Sequence, residues 1–308
     1  MEVTISAYKF MKMFPDEQTA REYLEKQRWN GQTVCPSCGN QDRIQHVVRE
    51  KKEGYYRCLA CLNVFTVRTG TTMERSHIPL HKWLYAMYLM VTARKGISSL
   101  QLSKELGITQ KSAWFMFQRL REACKKDNGM LAGIVEADEC YLGGKECNKH
   151  NYKKLHIGRG GIGKTAVLGM RERGGKVKTM IIDGTNVSTV QKEVKSNVTP
   201  GSTLCTDEHA AYRGMPEFTH LAVNHSAKEF VNGMAHTNGI ESVWAVLKRG
   251  YYGTYHNFST KHTHRYLNEF AFRLNAGSCK VQSMDRVDAL IQGMIGKTLT
   301  YKDLANAK

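Results

Sequence analysis

Apolar residues recur along this chain with spacings that change from segment to segment, and each spacing predicts a different element. The run DEQTAREYLEKQRW has helical periodicity, opened by Pro15-Asp16 and closed by Asn30-Gly31 as a C-cap. Residues 35–70 carry short runs, RIQHVVRE, YYRC and NVFTVRTGT, parted by polar turns. They read as strands of a ribbon too poor in apolar area to hold a core unaided. Helical spacing returns in LHKWLYAMYLMVTARKG, SSLQLSKEL and TQKSAWFMFQRLREAC, with a break at Gly107. In the last of these Ala113, Met116, Phe117 and Leu120 repeat at i, i+3, i+4 and i+7, which predicts one buried face and leaves Gln110, Lys111, Gln118 and Arg119 outside.

After Asn128-Gly129 the pattern becomes strand-like in GIVEADECYL, TAVLGMRE and KVKTMIID. A helix around VSTVQKEVKS follows, then strands STLCT and HLAVNH, and residues 237–250 and 261–275 are again helical. Three strands, a helix, further strands and then helices describe a mixed α/β domain. The expected organisation is therefore an N-terminal helical segment at 1–31, a ribbon at 32–72, a helix-turn-helix region at 78–127, an α/β domain at 130–278 and a C-terminal helical tail at 279–308.

Charge adds a partner to this outline. Lys and Arg number 45 against 28 Asp and Glu, a net charge of +17, and the basic residues are spread through every segment. A polyanion such as nucleic acid is the partner such a balance favours. No apolar run approaches the roughly 20 residues that span a bilayer. The first residues, MEVTISAYKFMKMFPDEQ, lack the apolar core and cleavage site of a signal peptide, so no membrane association and a cytoplasmic location are expected.

Nine cysteines are an odd set for a disulfide framework, and four of them fall in two CxxC pairs. Cys35, Cys38, Cys58 and Cys61, with nineteen residues between the pairs, have the spacing of a four-thiolate zinc site. Such a shell is closed, so one structural Zn²⁺ is expected there. Cys124, Cys140, Cys147, Cys205 and Cys279 are scattered and read as small apolar residues. In the helix-turn-helix, Gly107 permits the tight turn and Thr109 caps the second helix. Gln110, Lys111 and Ser112 then stand at the end that meets base edges and phosphates, although an ordinary helical hairpin has the same pattern.

Two further motifs have rival readings. GRGGIGKT, Gly158 to Thr165, matches a phosphate-loop expression but has neither a buried strand before it nor a good helix after it. The segment from Gly143 to Lys164 reads better as a basic connection lying against a phosphate backbone. Asp138 in IVEADECYLGG, Asp207 in STLCTDEHAAY and Glu241 in HTNGIESVWAVLKRG place carboxylates on two strands and a helix, a donor set suited to Mg²⁺. Strand alternation puts Glu136 on the same face as Asp138, so either acid fits, with Asp138 the more central. Glu241 also suits a capping box closed by Asn238.

Together these residues resemble a known family. VEADECYLGGK, TDEHAAY and HTNGIESVWAVLKRGYYGTYH are similar to the three acidic motifs of bacterial insertion-sequence DDE transposases, and CPSCG, YYRCLAC and FTVRTGT to the zinc ribbon that precedes them. The interval of 34 positions from Asp207 to Glu241 resembles the short final spacing of DDE recombinases. The resemblance implies a ribonuclease H-like catalytic domain in which Asp138, Asp207 and Glu241 hold two Mg²⁺ or Mn²⁺ ions, with His236 and Asn238 as auxiliaries. It implies an enzyme that binds double-stranded DNA at element ends and target, cleaves and transfers strands, and works as a dimer or larger assembly. Lys164, Lys248 and Arg249 would then contact DNA backbone. The rival functions are a zinc-ribbon regulator without catalysis, which needs none of the three acids, and a phosphate-loop ATPase, which needs Lys164.

Overall fold

The computed structural model describes residues 4–48, 53–125, 129–144, 148–154, 161, 163–223, 231, 233–275 and 281–306. The chain divides into two compact units: residues 1–126 together with 276–308, and residues 127–275. Helices that the spacing predicts form where it places them, and their caps explain why.

In the first unit, α1 (Ala7–Met13) precedes α2 (Glu17–Trp29), whose Asp16 side chain accepts from the Thr19 N–H and whose C-cap Asn30 is left-handed at φ 47°. Asn tolerates that conformation better than other residues with a Cβ, so Asn30-Gly31 stops the helix as expected. Strands β1 (Ile44–Val47), β2 (Tyr55–Cys58) and β3 (Val64–Phe65) form an antiparallel ribbon in that order. Trp29 seals it, its ring 5.2 Å from Tyr56 and 6.1 Å from Phe65. The third strand is shorter than the run NVFTVRTGT suggests; Thr66 and Arg68 accept the N–H groups of Thr69 and Thr71, so the backbone turns after Phe65.

Helix α3 (Leu80–Thr92) is apolar on nearly all sides and is buried from Trp83 through Tyr88. An all-round apolar helix belongs at the centre of a bundle. Its neighbours include α2, α4 (Ser99–Leu106), α5 (Gln110–Ala123) and α9 (Ser283–Met294). Residues 279–308 are thus no separate tail: Val287, Leu290, Ile291 and Met294 of α9 are buried within this unit, and α10 (Tyr301–Asn306) follows. That packing corrects a second expectation. Gln118 and Arg119 are buried, because the returning C-terminal chain lies on the face of α5 that the helix's own periodicity leaves polar. Arg119 donates to the Leu299 carbonyl at 3.1 Å.

The second unit is a five-stranded sheet in the order β6-β5-β4-β7-β8. Its strands are β4 (Ile134–Leu142), β5 (Thr165–Glu172), β6 (Val177–Ile182), β7 (Thr203–Thr206) and β8 (Thr219–Ala222). β4 pairs antiparallel with β5 and parallel with β7, which puts it at the centre. Helix α6 (Val187–Asn197) packs Val190 and Val194 on the face that carries Val135 and Ala137. On the opposite face α7 (Asn238–Gly250) and α8 (Thr263–Asn275) bury Ile240, Val243, Trp244, Leu247 and Phe270 against Cys140, Leu142 and Val167. A central strand with antiparallel neighbours on one side, parallel ones on the other and helices on both faces is the ribonuclease H-like arrangement.

Gly169 sets the distance between α7 and the sheet. It sits opposite Asp138 in the strand register, and a Cβ there would stand 2.4 Å from Trp244 Cη2 and 2.9 Å from Ile240 Cδ1. Only a residue without a side chain lets the indole lie this close to the strands.

Candidate functional site

The zinc ligands meet as their spacing predicts. The four sulfurs of Cys35, Cys38, Cys58 and Cys61 lie within 4.8 Å of one another, with Cys35 to Cys61 and Cys38 to Cys58 at 3.6 Å. Thiolates about 2.3 Å from a tetrahedral zinc stand about 3.8 Å apart, so the quartet fits the ion and leaves no open position. Each CxxC ends in a left-handed residue, Gly39 at φ 73° and Leu62 at φ 63°. Those two turns swing the chain back so that the Cys35 and Cys58 N–H groups donate to the carbonyls of Asn40 and Asn63. Cys124, Cys140 and Cys205 are buried thiols, while Cys147 and Cys279 lie outside the described residues.

Asp138 stands on β4, Asp207 directly after β7 and Glu241 in the first turns of α7. Because β4 and β7 are parallel neighbours, their C-terminal ends open at the same edge of the sheet. Asp138 accepts from Trp244 Nε1 at 2.9 Å and from the Glu139 N–H at 2.8 Å. Asp207 Oδ1 accepts from the His209 N–H at 3.0 Å, and Glu241 Oε1 accepts from the Thr237 hydroxyl at 2.9 Å. Burial pushes the Asp138 carboxyl up to about 6, and the negative charges of Asp207 and Glu241 push it the same way, while the Glu139 N–H and the Trp244 indole oppose the rise. Asp138 therefore senses the charges of the other two. The three acids do not draw together as the thiols do: among the described residues the cysteine quartet alone brings three or more His, Cys, Asp or Glu ligand atoms within 4.8 Å. Three like charges have no reason to converge until a cation offsets them.

Carboxylates on β4, after β7 and on α7, with Asp138 raised first by burial and then by the charges of the other two, are a donor set that suits a hard divalent cation such as Mg²⁺ or Mn²⁺, which favours oxygen donors. Glu136, the other strand acid, is already engaged. It is 1% exposed, its Oε1 accepts from Arg173 Nε at 3.0 Å and its Oε2 accepts from the Ile240 N–H at 2.9 Å. Both oxygens of Glu136 are thus engaged by α7 and Arg173. The capping-box reading of Glu241 is also corrected: the N-cap is Thr237, its side chain caps no backbone N–H, and Asn238 is the first helical residue. His236 turns Nδ1 towards Glu136 Oε1 at 3.2 Å, and Asn238 is exposed.

The other expected contacts lie on solvent-facing surfaces. Gln110 donates to Ser99 Oγ at 2.8 Å, and Ser112 accepts from the Thr109 hydroxyl at 2.9 Å and donates its N–H to the same oxygen. Two of the three residues at the start of α5 are thus already hydrogen-bonded locally, and Lys111, exposed, holds its Nζ 5.0 Å from the Tyr301 ring centroid. Lys248 and Arg249 are exposed on α7. Lys164 directly precedes β5, so a strand follows the GRGGIGKT motif where a phosphate loop requires a helix. Residues 158–160 and 162 of that motif, and most of the basic connection from 145 to 160, lie outside the described residues. Periodicity alone does not reveal Arg171, Arg173 and Tyr212, which grip the elements carrying the acids; a lone Arg at a strand end or Tyr in a loop has no distinguishing signal.

A ribonuclease H-like sheet with Asp138 within its central strand and Asp207 directly after the parallel neighbour, in a chain that also carries a four-thiolate ribbon, points to an insertion-sequence transposase, a protein that processes DNA. Residues 130–275 match the ISXO2-like transposase domain, and residues 15–63 match the transposase zinc-ribbon domain. A protein described as "Uncharacterized protein in transposable element ISH50", from Halobacterium salinarum, is 30% identical over 85% of this chain and 92% of its own length. The chain belongs to the ISXO2-like transposase family. A simian T-cell lymphotropic virus intasome, solved in complex with the PP2A regulatory subunit B56 gamma, is 11% identical over 60% of this chain and 65% of that one. Its TM-score is 0.27, too low to bear on the fold. Among the described residues no helix is long and apolar enough to cross a membrane.

Proposed function

We propose that this chain binds the ends of its insertion sequence and catalyses divalent-metal-dependent DNA cleavage and strand transfer, with Asp138, Asp207 and Glu241 as metal ligands. The observation that carries this reading is the placement of the acids in a transposase domain: Asp138 on β4 is buried and raised to about 6, first by desolvation and then by the charges of Asp207 after β7 and Glu241 on α7. A bound pair of Mg²⁺ or Mn²⁺ ions would activate the attacking oxygen, first of water and then of the freed 3′-hydroxyl, and stabilise the leaving oxygen.

The chain's own residues hold the ligands in place. Trp244 and the Glu139 N–H orient Asp138, the His209 N–H orients Asp207, and Thr237 orients Glu241. Each carboxylate oxygen has two acceptor positions, so these bonds leave Asp138 with lone pairs for a cation. Gln110, Lys111 and Ser112 would meet one stretch of duplex, and Lys164, Lys248 and Arg249 would contact phosphates nearer the acids; phosphate contacts position DNA without reading its sequence. Joining two element ends requires two copies of the site, so the working form is a dimer or larger assembly.

The test uses the full chain, zinc-loaded, with duplexes cut from the ends of its own element. Asp138→Asn, Asp207→Asn and Glu241→Gln should each bind those duplexes and fail to cleave them in Mg²⁺. Cleavage by all three variants at the wild-type rate would overturn the reading.

A further inference from the structure

The strand that carries Asp138 reads Glu136-Ala137-Asp138-Glu139, and the two outer acids reach away from the central one to different elements. Glu136 takes the helix. Its Oε2 accepts from the Ile240 N–H at the start of α7, and it fits that helix end so closely that a Cβ on Gly239 would lie 2.5 Å from the same oxygen. Its Oε1 accepts from Arg173, whose other arm donates to the carbonyls of Met234 at 2.8 Å and His236 at 3.3 Å, on the segment entering α7. Arg171 adds a second grip by donating to the Gly239 carbonyl at 2.7 Å and to Ser242 Oγ at 2.8 Å. A buried carboxylate with a guanidinium partner at a helix N-terminus is held by charge, by hydrogen bonds and by the helix dipole together.

Glu139 takes the turn. Its Oε1 accepts from the Tyr212 hydroxyl at 2.6 Å. Tyr212 is fully buried in the core beneath α6, and it closes the short 3₁₀ turn Ala210–Tyr212 that follows Asp207. From α6, Gln191 donates to the carbonyls of Ala211 at 3.3 Å and Arg213 at 2.7 Å, so the turn is fixed on both sides.

We propose that Glu136 and Glu139 are positioning residues. Through Arg173 and Tyr212 they hold the helix bearing Glu241 and the turn bearing Asp207 to the strand bearing Asp138. The inference rests on the metal-ligand reading of those three acids and assigns the neighbouring acids a different role. Neither outer acid serves as a ligand: Glu136 is enclosed and doubly engaged, and Glu139 lies on the α6 side of the strand with Tyr212. Outer partners that aim metal ligands typically set affinity by 10- to 100-fold.

The experiment is a calorimetric Mn²⁺ titration of the full zinc-loaded chain, with thermal denaturation and duplex binding measured on the same samples. Tyr212→Phe deletes one hydroxyl from a packed ring, and Glu136→Gln neutralises the carboxylate at α7. Both should fold and bind duplex, and both should weaken Mn²⁺ by roughly tenfold. Glu139→Gln, which keeps an acceptor for Tyr212, should bind Mn²⁺ more tightly than Glu139→Ala. A merely structural role would lower the melting temperature and leave Mn²⁺ affinity alone, and that result overturns the inference. Asp207→Asn separates the two readings. If it weakens Mn²⁺ while Tyr212→Phe and Glu136→Gln do not, the positioning role falls and the ligand assignment stands; if it binds Mn²⁺ as wild type, the ligand assignment falls.

Discussion

The ribbon and the acidic site both gather metal donors, and they do so by opposite means. In the ribbon the four donors come from two pentapeptide turns, and the sulfurs already pack together, in pairs 3.6 Å apart. In the acidic site three carboxyl groups come from a strand, a loop and a helix, and they stay further apart, with burial and the other two charges raising the cost of ionising Asp138. A ribbon with so little apolar core relies on its metal for its fold. The α/β unit has cores on both faces of its sheet, so apolar packing holds its fold, and under the proposed function only its chemistry would need a metal. On the proposed reading, zinc serves structure in one region and a divalent ion serves activity in the other.

The largest contrast should come from ligand substitutions. Asp138→Asn, Asp207→Asn and Glu241→Gln should each lose Mg²⁺-dependent cleavage while circular dichroism and duplex binding remain those of wild type. Cys35→Ser should do the reverse in character: metal analysis should find the ribbon zinc gone, and residues 35–61 should lose protection in hydrogen exchange while the α/β unit keeps its own. A ribbon that stays protected without zinc would erase the distinction.

Gly169→Ala probes how far the acidic site depends on packing. The added methyl meets Trp244 and Ile240 at impossible distances, so α7 must move, at about 1–3 kcal/mol in urea unfolding. The Trp244 bond to Asp138 should be lost with it, read as a shift in tryptophan emission. A melting curve and emission equal to wild type would mean that α7 is not held as described.

Electrostatic coupling gives a smaller and more direct test. Asp138 has a carboxyl raised to about 6, so its ionised form costs stability, a cost fully present above about pH 6 that shrinks as pH falls from there and is gone below the ordinary carboxylate value. Asp207→Asn removes one of the charges responsible. In metal-free buffer the Asp138 titration followed by carbon NMR should move down, yet remain above the ordinary carboxylate range because burial persists. An unmoved titration would separate the two acids. Smallest of all, Leu62→Gly relieves a left-handed leucine in the second zinc turn. That gain of about 1–2 kcal/mol is offset in part by the flexibility of glycine, leaving the ribbon slightly more stable to heat in the presence of zinc.

Much of this architecture is legible in the sequence. The helices at 17–29, 80–92, 99–106 and 110–123 and the five strands of the α/β unit follow from periodicity and caps, because those signals act over a few neighbouring residues. The zinc quartet is equally local. Glu136 shows where such reading stops: alternation sets it beside Asp138, and nothing within ten residues reveals that Arg173 and the start of α7 claim both its oxygens. Gln118 and Arg119 mislead for the same reason, since their helix is polar there and is covered by chain from the far end of the sequence.

By itself, then, the order of residues determined most of the elements and the ribbon's cysteine quartet. Tertiary structure alone decided which of the strand acids stays open, which helix faces are buried and how α7 approaches the sheet at Gly169. The reason is distance along the chain. Caps, turns and paired thiols are settled by contacts a few residues apart, whereas an acid's role depends on the charges and donors that folding brings to it from a hundred residues away.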